Sequence, residues 1–88
     1  MTSSALAADI RVAGVAIDAD TLSVSLMDGR TISVPLAWYP RLANASAAQR
    51  DKWEIAGGGL GLHWPELDED LSVAGLLRGA RSGEAAGR

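Results

Sequence analysis

An 88-residue chain has room for one domain, close to the size at which a single apolar core only just suffices. Its 48% apolar and 22% charged residues exclude an intrinsically disordered protein, and its net charge of -3 argues against direct nucleic-acid binding, which draws affinity from neutralising phosphates. The absence of cysteine removes disulfides, thiolate nucleophiles and cysteine-ligated zinc together.

Residues 1–9 lack the basic and apolar regions of a signal peptide, and no apolar run approaches the roughly 20 residues that span a bilayer. The expectation is a cytoplasmic protein without membrane contact. One α+β domain is expected over residues 10–79, with flexible tails at 1–9 and 80–88.

Ile10 to Ile17 read as a strand, rich in β-branched residues and closed by the turn formers Asp18 and Asp20. Leu22, Val24 and Leu26 then alternate with Thr21, Ser23 and Ser25, and Ile32, Val34 and Leu36 alternate with Thr31, Ser33 and Pro35. A period of two marks strands with one face on a core and one in water. The connection is decided by parity. A two-residue turn at Asp28-Gly29 would oppose Val24 to Ser33, whereas a three-residue loop of Met27, Asp28 and Gly29 opposes Val24 to Ile32 and Leu22 to Val34. Facing residues share a side of the sheet, so the three-residue loop is expected, with Gly29 supplying a left-handed bulge.

Pro40 suits the first position of a short helical turn, and Asn44 can end it. Ser46 to Gln49 matches a capping box, predicting a helix that runs through Lys52 toward Trp53. Trp53–Ala56 and Leu60–Trp64 read as a second hairpin around Gly57-Gly58-Gly59. Leu71 to Arg78 reads as a last helix ending at Gly79, with Asp68, Glu69 and Asp70 as its N-terminal capping acids. The fold class is therefore α+β: a three-stranded antiparallel meander, short helices, a second β-hairpin and a C-terminal helix on one core. With phenylalanine absent, the indoles must supply bulk. The expected core is Leu22, Val24, Leu26, Ile32, Val34, Leu36, Leu42, Trp53, Ile55, Leu62, Trp64, Leu76 and Leu77.

Asp28-Gly29-Arg30, Val34-Pro35-Leu36 and Tyr39-Pro40-Arg41-Leu42 form one half of a familiar pattern. Trp53-Glu54-Ile55, Gly61-Leu62-His63-Trp64-Pro65, Leu67-Asp68-Glu69-Asp70 and Gly75-Leu76-Leu77 form the other. In order and spacing the chain resembles the bacterial domain-of-unknown-function family 2442, over about residues 10–79. The resemblance implies a small α+β protein without established enzymatic activity. It also implies a protein partner, since members are often encoded beside a family 4160 protein in what has been suggested to be a toxin–antitoxin module. Some relatives carry an added helix-turn-helix domain; none is legible after Gly79, so DNA binding is not carried over.

His63, with Glu66, Asp68, Glu69 and Asp70 close behind, can be read as a general base or a metal ligand beside carboxylates. Zinc or iron usually takes at least two imidazoles or thiolates, and this chain has one and none, so no metal and no cofactor is expected. The competing reading is a histidine that packs on the sheet and bonds a nearby acid. Gly57 to Gly61 resembles a phosphate loop but continues as a strand without a Lys-Ser/Thr pair, so it reads as a turn. Trp38 and Tyr39, beside the Pro40 turn, are the expected contact surface together with Arg41, because aromatics and arginine dominate interface hot spots. The expected function is thus a non-catalytic protein-binding module, antitoxin-like or an adaptor, with homodimerisation through a sheet edge as another binding mode. The alternative is a small ligand-binding domain or enzyme centred on His63, Glu66 and Asp68.

Overall fold

Alternating residues put Leu22, Val24 and Leu26 on one side of a strand, and that side is buried. A computed structural model describes residues 9–80. The strands β1 (Val12–Ile17), β2 (Thr21–Leu26) and β3 (Thr31–Pro35) form an antiparallel meander in the order β1-β2-β3. Leu22 faces Val34 and Val24 faces Ile32, the register that parity requires. At the β2–β3 loop the Gly29 N–H donates to the Leu26 carbonyl at 3.0 Å and the Leu26 N–H to the Arg30 carbonyl at 2.8 Å. Gly29 holds φ +95°, a conformation that a Cβ disfavours. The first strand begins at Val12, later than expected, and is bulged between Val12 and Gly14.

A 3-10 turn over Leu36–Trp38 leads into α1 (Pro40–Ala43) and then α2 (Ala47–Arg50). The capping box is complete: the Gln49 N–H donates to Ser46 Oγ at 3.1 Å, and the Ser46 N–H to Gln49 Oε1 at 3.0 Å. The helix ends at Arg50 and does not run on toward Trp53. It buries no residue of its own, so nothing draws it further along the surface.

The strands β4 (Glu54–Ala56), β5 (Gly61–Trp64) and β6 (Glu69–Ser72) form a second meander. The hairpin around Gly57–Gly59 is as expected, but β6 is an addition to it. Glu69 and Asp70 are strand residues and do not cap a helix. Pairing of Trp64 with Glu69 and of Leu62 with Leu71 draws the acidic run onto the hairpin. The last helix, α3 (Val73–Arg78), is capped by Ser72, whose Oγ accepts the Gly75 N–H at 2.9 Å. It closes as expected at Gly79, left-handed at φ +76°, with the Gly79 N–H on the Leu76 carbonyl and the Ala80 N–H on the Gly75 carbonyl.

One core joins both sheets, with Leu22, Val24, Leu36, Leu42, Leu62, Trp64 and Val73 almost fully buried. Four expected core positions differ. Ile32 and Trp53 are only half-buried, while Ile55 and Leu77 are 50% exposed. Ile55 lies on the edge strand β4 of a three-stranded sheet, and Leu77 turns off the inward stripe of a helix six residues long. Val12, Tyr39 and Val73 occupy core places instead. Of the expected tails, residues 1–8 and 81–88 lie outside the described residues; Asp9 and Ala80 are both hydrogen-bonded to the domain. Among the described residues, no helix is long and apolar enough to cross a membrane.

Candidate functional site

The second sheet determines where the titratable residues go. Leu62 and Trp64 on β5 face the core, so Gly61 and His63 face outward. Cross-strand pairing then places Glu54, His63 and Asp70 in one row across the outer face, and Ala56, Gly61 and Ser72 in the next. His63 Nδ1 lies 2.6 Å from Asp70 Oδ1, with the imidazole one-third exposed and the carboxylate three-quarters exposed. The lone histidine therefore meets an acid, but that acid is Asp70.

Glu66 and Asp68 do not join His63. Glu66 Oε2 pairs with Lys52 Nζ at 2.8 Å. Asp68 sits in the turn between β5 and β6, where its carbonyl accepts Arg41 Nη1 at 2.7 Å and its carboxylate lies 3.8 Å from the same guanidinium. Each carboxylate has a separate cationic neighbour, so the three-residue grouping around His63 is not assembled. Among the described residues, no three His, Cys, Asp or Glu side chains come together to hold a metal ion.

The aromatic surface around Pro40 is also rearranged. Tyr39 is 2% exposed, and its hydroxyl donates to the Ala80 carbonyl at 2.9 Å. Burial, reinforced by the negative charge of Glu69, pushes the phenol above its ordinary range. The ring that was expected at a contact surface therefore belongs to the core, because the hydroxyl finds a backbone acceptor at the end of α3. Trp38 is half-buried, lying where a methyl group on Gly79 would be 3.8 Å from its ring, and Arg41 is exposed.

Two features of the site escaped the sequence reading. The first is that Asp70, among the four acids behind His63, is the one that meets it, which period-two pairing would have identified had β6 been recognised. The second is the row of small residues Ala56, Gly61 and Ser72. It leaves a depression of about 400 Å³ bordered by Leu60 (47% exposed) and by Asp70.

A family model described as a protein of unknown function (DUF2442) matches residues 12–82. Two solved structures resemble the chain in fold and sequence. The crystal structure of a protein of unknown function from Rhodospirillum rubrum is 36% identical, with a TM-score of 0.73 over 89% of this chain and 96% of that one. The solution structure of the uncharacterised protein CV0863 from Chromobacterium violaceum is 25% identical, with a TM-score of 0.70 over 83% of this chain and 69% of that one. No curated protein matches.

Proposed function

This chain belongs to the DUF2442 family, a family of unknown function, and we propose that it acts as a non-catalytic protein-binding module. Its partner would be a second small bacterial protein of the family 4160 type, with this chain as antitoxin or adaptor in the cytoplasm. One observation carries the reading: Glu66 and Asp68 are drawn away from His63 onto Lys52 and Arg41, leaving it Asp70 alone, while Leu60 stands half-exposed beside an apolar depression. General acid–base chemistry needs its groups to converge on a space for reacting atoms. Exposed large apolar side chains next to a concave surface favour association. With Tyr39 buried, the contact surface expected beside Pro40 retains Trp38 and Arg41, and the second sheet becomes a further candidate contact area.

Purification of the untagged protein from its native host at low salt tests this, with the mass of any co-purifying protein and light scattering of the reconstituted pair. A stoichiometric hetero-complex supports the reading. Recovery of the chain alone as a monomer overturns it, and recovery as a pure dimer favours self-association through a sheet edge. The alternative of a ligand site at His63 rests on the 2.6 Å contact with Asp70. It predicts that zinc or manganese perturbs the His63 ring resonances.

A further inference from the structure

We propose that the depression on the outer face of the second sheet docks a short basic segment of the partner, one that carries an apolar side chain between cationic ones. The inference rests on the protein-binding reading and names the surface and the chemistry that it would use. Its geometry follows from pairing. Ala56, Gly61 and Ser72 stand side by side across β4, β5 and β6, and their small size leaves the hollow. Its floor is closed backbone: a Cβ on Gly61 would lie 3.2 Å from the Leu71 carbonyl and 3.6 Å from that of Ala56. Leu60 supplies an exposed apolar rim.

The neighbouring row sets the charge of the occupant. Glu54 is exposed, the Asp70 carboxylate is 74% exposed, and His63 fixes the latter from Nδ1. None of the six residues in the two rows is a lysine or arginine, and the chain as a whole carries -3. An apolar side chain seated over Gly61 next to Leu60 would supply affinity, and cationic neighbours reaching Asp70 and Glu54 would supply orientation and association rate. Three strands span only about 10 Å between their outer axes, the width of a single helix or extended segment and not of a globular face.

Amide chemical shifts followed during titration with three nonapeptides test this: alternating lysine–leucine, glutamate–leucine and lysine–serine. The expected result is saturable shifts at Ala56, Gly61, His63, Asp70 and Ser72 with the lysine–leucine peptide alone. Asp70→Lys and Ala56→Leu should each weaken that binding at least tenfold; the extended backbone at Ala56 (φ -130°, ψ 166°) accepts a larger side chain. No response, an equal response to all three peptides, or shifts centred on Trp38 and Arg41 overturns the site. So do shifts that grow with protein concentration alone, which would assign the hollow to a second copy. A co-purified partner that binds both variants unchanged overturns the site and leaves the protein-binding reading standing, whereas absence of any partner from the native host sinks that reading itself.

Discussion

The backbone carbonyl of Arg50 accepts the indole N–H of Trp64 at 3.0 Å. The guanidinium of the same arginine donates to the carbonyls of Leu42 at 2.8 Å and Ala43 at 2.7 Å. Arg50 thus closes the C-terminal end of α1 and orients the largest fully buried side chain of the core. This link also explains how α2, which buries nothing, stays in place.

Trp64→Phe should therefore cost about 2–4 kcal/mol, combining a partly emptied indole site with an orphaned Arg50 carbonyl. Arg50→Ala should cost about 1–2 kcal/mol through the Leu42 and Ala43 carbonyls. Urea unfolding of the two variants and their double mutant measures both, and coupling beyond additivity identifies the shared node.

Adjacent leucines on α3 should respond very differently. Leu76 is 4% exposed and Leu77 is 50% exposed. Leu76→Ala is expected to cost about 2–4 kcal/mol and Leu77→Ala less than about 0.5 kcal/mol. Equal midpoints in urea for the two variants would contradict the observed face of the helix.

Asp68 is the non-glycine residue with positive φ among the described residues, at 51°. Aspartate tolerates the left-handed region better than most residues, and a β-branched side chain tolerates it poorly. Asp68→Gly should leave stability nearly unchanged, since Arg41 bonds the backbone carbonyl there. Asp68→Val should cost about 1–3 kcal/mol, readable by thermal denaturation.

Shifted groups bear on the pH dependence at both ends: Asp9 and Asp28 on the acid side, each held low by hydrogen bonds from its own arginine, and Tyr39 on the alkaline side. Hydrogen bonds from Arg11 hold the Asp9 carboxyl down at about 2, below the unfolded value near 3.9. Its contribution is complete above about pH 4 and is lost as pH falls toward 2. Burial holds the Tyr39 phenol above its unfolded value near 10, so stability is complete below about pH 10 and falls as pH rises through the folded pKa. Arg11→Gln should return the Asp9 NMR titration toward 3.9. Tyr39→Phe should flatten the alkaline limb of unfolding while lowering stability at neutral pH through loss of the Ala80 bond.

Local chemistry was legible at several points that near neighbours settle, though not at the end of α2 or at the Ser72 cap of α3. Parity between Leu22–Leu26 and Ile32–Leu36 dictated the register of the first hairpin, because a one-residue slip turns the apolar face outward. The Ser46–Gln49 box, the helix start at Pro40 and the stop at Gly79 each follow from hydrogen-bonding or φ constraints within a few residues. The acidic run Glu69-Asp70 was not legible as a strand, since nothing in its composition favours one and only the open edge of β5 recruits it.

The candidate site divides along the same line. That a lone imidazole would meet a carboxylate was readable from the crowding of acids behind His63, but which acid meets it depends on pairing across β5 and β6. The burial of Tyr39 and the exposure of Ile55 and Leu77 likewise depend on what another segment covers. The order of residues settles which side chains share a face, because backbone geometry is periodic. Which faces are covered, and which carboxylate meets which cation, is settled by contacts between segments distant in the chain, and no local period encodes those.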